Sequence, residues 1–161
     1  MAGSPRFLTL ADVAEGIRWA ADHGADVINL SLGGDGHSKL MDQAVEYAHR
    51  RGVTVVCAAG NSGRAVGSPA NAPHAIAVSA IDSGDQIAFF SSRGPEIAIA
   101  APGVAILQQT ICERGRNRCE QFASWSGTSM AAPHVAGAAA LMYSLGVTDP
   151  DRVRSLLLTH S

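Results

Sequence analysis

A serine among small residues is the strongest chemical feature of the sequence. Ser129 lies in "SWSGTSMAAPHVAG", residues 124–137, directly after Gly127 and Thr128 and before a run rich in alanine. Acyl transfer needs a nucleophile on an exposed turn at the start of a helix, where backbone amides and the helix dipole favour developing negative charge. The segment fits this requirement, so we predict Ser129 as a nucleophile.

Two glycine-containing segments could serve the same chemistry. Asn61, in "AAGNSG", follows an apolar run, and its side-chain amide could donate to an oxyanion beside the Ser129 backbone N–H. Gly33 and Gly34, in "SLGG", follow another apolar run and leave room for an extended peptide. We therefore expect Ser129, Asn61 and the "SLGG" backbone to meet in one cleft.

Alternating helix and strand patterns predict how these segments are positioned. The helices are expected at 9–24, 38–52, 128–145 and from Thr148 onward, and the strands at 26–32, 53–60, 75–81 and 96–103. Thr9, with Asp12 three residues later, predicts a helix cap, whereas 105–124 shows no clear period. Strands that are apolar on both faces indicate an α/β fold, a parallel β-sheet with helices on both faces, forming one domain over residues 1–161. In such sheets, binding sites form at the carboxyl ends of the strands.

Composition narrows the range of partners. Hydrophobic residues make up 47% of the 161 residues, and the formal net charge is −2. This charge does not favour nucleic acid or anionic lipid. No segment approaches the roughly 20 apolar residues of a membrane span, and the N-terminus lacks an apolar signal core. We expect no nucleic-acid or membrane partner.

Cysteines and histidines give weaker signals. Cys112 and Cys119 share the polar segment "ICERGRNRCE" and could close a small disulfide, whereas Cys57 is expected to be buried and free. The histidines are scattered and no C-x-x-C occurs, so we predict no metal site. His134 follows Ser129 by five residues, turned about 140° from it on a helix, and is expected to be structural. The remaining histidines are expected to be exposed to solvent: His23, His37, His49, His74 and His160.

Several motifs together carry a family resemblance. The signature G-T-S-M-A-x-P-H-V-A-G is matched from Gly127 to Gly137, and "VINLSLGG", "AAGN" and "APG" occur in the family's order. The chain resembles the C-terminal part of the catalytic domain of a subtilisin-like serine protease (subtilase, peptidase S8 family). The resemblance implies Ser129 as the nucleophile and Asn61 as the oxyanion donor. It also implies that one pocket is lined by Ser31, Leu32, Gly33, Gly34, Ala58, Ala59 and Gly60, with Gly67 at its base.

The same resemblance implies an incomplete active site. The family's sheet has the strand order 2-3-1-4-5-6-7, of which this chain would supply strands four to seven. The unpaired edge of strand four predicts marginal stability for the isolated chain. The family's catalytic aspartate and histidine lie in D-[ST]-G and H-G-T-H motifs, both before the region that matches residue 10 of this chain. H-G-T-H does not occur in this sequence, and its one D-[ST]-G, Asp82-Ser83-Gly84, lies well after that region.

Three functions remain open at this point. In the first, the chain is part of a serine endopeptidase that acts on peptide or protein substrates. In the second, it is an inactive remnant that serves as a peptide-binding or interaction module. In the third, an N-terminal segment or separate chain supplies the aspartate and histidine. Many family members bind structural calcium, the strongest site through N-terminal residues that this chain lacks, so no cofactor is expected in the chain itself. The resemblance also implies secretion of the full-length protein.

Overall fold

The computed structural model describes residues 8–110 and 121–159. Within them lie four helices, α1 (Leu10–Asp22), α2 (Lys39–Arg50), α3 (Thr128–Ser144) and α4 (Pro150–Thr159). The strands are β1 (Val27–Leu30), β2 (Thr54–Ala58), β3 (Ile76–Ile81), β4 (Ile97–Pro102), β5 (Ile106–Gln109) and β6 (Phe122–Trp125). The four strands β1-β2-β3-β4 form a parallel sheet in that order, and β5 pairs with β6 in an antiparallel ribbon. The predicted α/β class is confirmed, and the parallel order agrees with strands four to seven of the family sheet.

Strand β2 shows why the central strands are continuously apolar. All its residues are buried, and successive side chains point to opposite faces of the sheet. Val55 and Cys57 belong to the core cluster that contains residues of α1 and α2. Val56 and Ala58 belong to the cluster that contains residues of α3 and α4. Helices therefore cover both faces of the sheet, as predicted.

Helix α1 begins at the predicted cap. The Asp12 backbone N–H donates to the Thr9 hydroxyl at 3.2 Å, and the Thr9 N–H donates to the Asp12 carboxylate at 2.8 Å. These reciprocal bonds form the capping box that the sequence indicated. Hydrogen bonds from the Thr9 side chain and backbone lower the pKa of Asp12, because they stabilise its charged form.

Helix α3 consists mostly of small residues, which allow it to lie closely against the sheet. Ala131, Ala132 and Ala139 are fully buried, and α3 contacts all four parallel strands. Since α3 begins at Thr128, directly after Gly127, its first turn carries Ser129.

The sequence patterns did not predict the ribbon β5–β6. It pairs Ile106 with Trp125 and Gln109 with Phe122, within the segment for which no period was found. None of its residues is fully buried, two glutamines end β5 after only two apolar residues, and a serine interrupts β6, so no apolar run marks it. Cys112 and Cys119 lie outside the described residues, and their disulfide stays a prediction.

Two further expectations can be compared with the described residues. Cys57 is free and buried, as predicted, and burial raises the pKa of its thiol to about 12. Strand β1 pairs with β2 on one side, and within the described residues its other edge has no partner strand.

No helix in the described part of the chain is long and apolar enough to cross a bilayer.

Candidate active site

Ser129 lies where the first turn of α3 meets the carboxyl end of β1. Its Oγ donates a hydrogen bond to the Ser31 carbonyl oxygen at 3.1 Å, and Ser31 Oγ donates to the Ser129 carbonyl oxygen at 2.8 Å. The Asn29 side-chain amide donates to Ser31 Oγ at 2.9 Å. The serine is therefore held against the segment that follows β1, partly exposed to solvent.

Asn61 is oriented by Thr128. Its Oδ1 accepts from the Thr128 backbone N–H and from the Thr128 hydroxyl, both at 2.9 Å. Because a backbone N–H can only donate, the side-chain oxygen must face Thr128. The Nδ2 donor is thereby directed away from Thr128, and it has no acceptor within the described residues. An amide held in this way is suited to donate to an oxyanion.

Thr128 connects this arrangement to the end of β2. It is fully buried, and its hydroxyl accepts a hydrogen bond from the Gly60 backbone N–H at 3.1 Å while donating to Asn61. Sequence reasoning did not assign Thr128 a role. Its position beside Ser129, in the same matched segment, was the available signal.

The predicted pocket residues surround one cleft of about 290 Å³. Its lining contains Ser129, Asn61, Leu32, Gly33, Gly34, Ala58, Ala59, Gly60 and Gly67. Ser31 does not line the cleft but holds Ser129 through the two bonds above. The lining also includes residues that were not predicted: Asp35, Ser62, Ala65, Ser68, Ser92 and Thr128.

The two walls of this cleft touch at Gly67. A Cβ atom on Gly67 would lie 2.1 Å from the Gly34 carbonyl oxygen, so only glycine allows this approach. Beside it, the Gly34 N–H donates to the Ser68 carbonyl at 2.9 Å, and the Ser68 N–H donates to the Gly36 carbonyl at 3.0 Å. The segment after β1 and the loop before β3 are thus joined across the predicted base of the pocket.

The described histidines bond to groups other than Ser129. His134 Nδ1 contacts the Met130 carbonyl at 2.8 Å, which agrees with its expected structural role. His23 contacts the Trp19 carbonyl, and His37 pairs with Asp42. His49 pairs with Asp151 and His74 with Glu46. His74 is exposed to solvent, as expected, whereas the His49 side chain is only 19% exposed. His160 lies outside the described residues.

Fold and cleft together define a parallel α/β protein with a serine at a helix N-terminus and an oriented amide beside it. Comparison with known proteins identifies the family to which this α/β protein belongs. The model of the subtilase family, Peptidase_S8, matches residues 1–161. The chain belongs to the subtilase family.

Named relatives agree with this assignment. The chain is 48% identical over 139 residues to the "Thermophilic serine proteinase" of Bacillus sp. (strain AK1), covering 86% of this chain and 33% of the relative. It is 45% identical over 141 residues to "Subtilisin DY" of Bacillus licheniformis, covering 84% of this chain and 49% of the relative. The chain therefore spans between a third and a half of the length of these curated relatives.

Solved structures share the fold. A protease of Pseudoalteromonas arctica PAMC 21717 superposes with a TM-score of 0.88 at 32% identity, over 95% of this chain and 52% of that one. The patellamide maturation protease PatA superposes with a TM-score of 0.84 at 33% identity, over 100% of this chain and 61% of that one. The family resemblance seen in the sequence is confirmed.

Proposed function

We propose that this chain carries the nucleophile and oxyanion hole of a subtilisin-like serine endopeptidase. The observation that carries the proposal is the oriented Asn61 amide: Thr128 holds its oxygen, so its nitrogen is free to donate beside Ser129. The Ser129 backbone N–H adds to this, because the first residues of a helix lack intrahelical acceptors. The neighbouring Thr128 and Met130 N–H groups already donate to Asn61 Oδ1 and to the Gly127 carbonyl.

Ser129 Oγ would attack the scissile carbonyl carbon and form a tetrahedral intermediate. Its oxyanion would accept hydrogen bonds from Asn61 Nδ2 and from the Ser129 backbone N–H. Collapse of the intermediate expels the amine and leaves an acyl-enzyme, which water then hydrolyses. The peptide would extend along Gly33 and Gly34, with one side chain in the cleft. Walls of glycine and alanine leave room there for a large apolar side chain.

The proton of Ser129 needs a base that we assign to another segment or chain. The Ser129 hydroxyl donates to a backbone carbonyl, which cannot take up the proton at neutral pH. The described histidines have partners elsewhere, and the sequence contains no H-G-T-H. Its one D-[ST]-G, Asp82-Ser83-Gly84, forms a turn in which the Asp82 carboxylate accepts from the Gly84 and Gln86 N–H groups. We infer that an N-terminal segment or partner supplies the family's aspartate and histidine, and that the complete protein acts outside the cell.

The alternative function is peptide binding without hydrolysis. The hydrogen bond between Ser129 Oγ and the Ser31 carbonyl favours it, because a serine held in this way is not activated. In this case the cleft would bind peptides saturably, with no turnover and no acyl-enzyme.

Labelling with a fluorophosphonate, read by intact mass, tests the proposal. The chain is incubated alone and together with a segment that carries the family's catalytic aspartate and histidine, obtained by reading the coding sequence in frame upstream of Met1. We expect one adduct, only in the combined sample, that is lost in Ser129→Ala and kept in Ser124→Ala, a control serine in the same stretch.

The other outcomes discriminate between the functions. If the folded chain is never labelled, even with that segment, but binds peptides saturably, the binding module replaces the protease. If the chain is labelled alone at Ser129, the base lies within this chain, and the assignment to a second segment is wrong.

A further inference from the structure

A second group of chemically active side chains lies at the opposite end of the sheet. His49 is in the last turn of α2, His74 is just before β3, and Asp151 is in the first turn of α4. These positions lie near the amino ends of β2 and β3, whereas Ser129 lies at a carboxyl end. One ligand atom from each of the three side chains falls within 4.8 Å of the other two. No residue of this group lines the Ser129 cleft.

Each imidazole in the group faces a carboxylate. His49 Nε2 is 3.1 Å from Asp151 Oδ1, and His74 Nε2 is 3.2 Å from Glu46 Oε2. A tetrahedral ion with bonds of 2.0–2.1 Å holds its ligand atoms roughly 3.3–3.4 Å apart. The His49–Asp151 and His74–Glu46 distances are therefore already close to the separation that two ligands of one tetrahedral ion require.

Packing and backbone bonds hold the two histidines together. Their rings stack with centroids 3.9 Å apart at 27°, and the His49 side chain is only 19% exposed. His74 has φ = 67°, in the left-handed region that residues other than glycine seldom adopt. Arg154 donates to the Ala75 carbonyl at 2.8 Å and so fixes the backbone next to His74. The arrangement comes from three separate elements, not from one flexible loop.

Charge and ligand type indicate which ion would fit. Two neutral imidazoles with two carboxylates carry a charge of −2, which a divalent cation balances. Arg50, which donates to Glu46 Oε1 at 2.6 Å, and Arg154 are the nearby cations. Imidazole nitrogen with carboxylate oxygen suits Zn²⁺ and its neighbours, whereas Ca²⁺ and Mg²⁺ prefer oxygen alone.

We propose that His49, His74, Asp151 and Glu46 form a binding site for a divalent transition-metal ion such as Zn²⁺. The ion takes the place of a proton between each Nε2 and its carboxylate, and each neutral imidazole then carries its one proton on Nδ1. To bind it, the two rings turn out of their stack and the Glu46 carboxylate turns inward. The bound ion would tie α2, the loop before β3 and the start of α4 together. This structural site departs from the sequence analysis, which predicted no metal.

Cobalt and zinc binding to the complete 161-residue chain tests the site. Co²⁺ is followed by its visible absorption, which is intense in tetrahedral sites, and Zn²⁺ by thermal unfolding. We expect tetrahedral Co²⁺ bands that Zn²⁺ displaces. At Zn²⁺ about 100-fold above its Kd, the midpoint of unfolding should rise by roughly 5–10 °C.

Variants locate the site. His49→Gln, His74→Gln and Asp151→Asn should each weaken metal binding at least about tenfold. Asp151→Asn is the safest of these for folding, since the Asp151 side chain is 69% exposed. The matched control is His37→Gln, because His37 also faces a carboxylate, that of Asp42, at 2.9 Å but lies outside the group.

Three results would overturn the proposal. These are the absence of tetrahedral Co²⁺ bands in the folded chain, equal loss of binding in His37→Gln, and a near-ultraviolet thiolate–cobalt band. The last would place the ion on cysteine. A variant with lost binding is counted only if its far-ultraviolet circular dichroism matches that of the unaltered chain.

Discussion

The two ends of the parallel sheet are built from different chemistry. At the carboxyl end, the described residues that line the cleft are Leu32, glycines, alanines, side chains with hydroxyl groups and one amide, and Asp35 is the only charged residue among them. Near the amino end, His49, His74, Glu46 and Asp151 form a cluster of titratable groups. Fixed dipoles can stabilise a charge that develops only during a reaction, whereas permanent opposite charges hold elements together or hold an ion.

This comparison explains why none of the described histidines is placed to act as a base for Ser129. Two of them are placed by the fold at the sheet end away from Ser129, where their carboxylate partners are. His134 lies on the same helix as Ser129 but bonds to the carbonyl of Met130. In the proposed function, the cleft supplies the electrostatic half of a serine protease site, and another segment or chain supplies the base for proton transfer.

Replacing the Asn61 amide should have the largest effect at the carboxyl end. In the sample combined with the N-terminal segment, Asn61→Ala should lower kcat for peptide hydrolysis by about 10²–10³, a figure known from subtilisin itself and not obtained from this chain. KM should change little, because the lost hydrogen bond forms mainly in the transition state. Steady-state kinetics measures both constants. A rise in KM with kcat unchanged would mean that Asn61 binds substrate and does not stabilise the oxyanion.

Local signals explain how much of this site the sequence could predict. Ser129 and Asn61 lie in short segments whose neighbouring residues indicate their proposed roles, and the parallel strands are apolar runs. The capping box at Thr9 and Asp12 is also local. Each of these features depends on residues a few positions apart, which is the range over which sequence patterns carry information.

Features that depend on distant pairs could not be predicted in this way. His49 and Asp151 are 102 residues apart, and only the packing of α4 near the end of α2 brings them together. The hydrogen bond between Thr128 and Asn61 joins residues 67 apart. The ribbon β5–β6 was missed for a different reason, since its partly exposed strands form no apolar run.

Thr128→Val tests whether Asn61 must be held in place. Valine keeps the shape of the side chain but removes the bond to Asn61 Oδ1 and leaves the Gly60 N–H without its acceptor. We expect stability to fall by about 1–3 kcal/mol, because a buried donor loses its partner. We also expect kcat to fall less than in Asn61→Ala, because the Thr128 N–H still holds the amide. Urea unfolding and kinetics on one preparation measure the two effects. Unchanged kcat would show that the hydroxyl serves stability alone.

Tyr143→Phe should affect stability without affecting the cleft. The Tyr143 hydroxyl donates to the Gly52 carbonyl at 2.7 Å and lies 3.0 Å from Thr54 Oγ1, at the amino end of β2. Removing it should cost about 0.5–1.5 kcal/mol of unfolding free energy, with fluorophosphonate labelling of the combined sample unchanged. A change in labelling rate would show that the two ends of the sheet are coupled.

The same hydroxyl predicts a dependence of stability on alkaline pH. Burial is the main cause that raises the pKa of Tyr143 above its ordinary value of 10.0. A raised pKa means that the folded state keeps its proton longer than the unfolded state. The stabilisation is therefore complete below pH 10 and is lost as pH rises through the higher folded value. Cys57, with its pKa raised to about 12, contributes in the same direction. The decline should thus be smaller in Tyr143→Phe than in the unaltered chain, and equal declines in urea titrations would show that Tyr143 does not contribute.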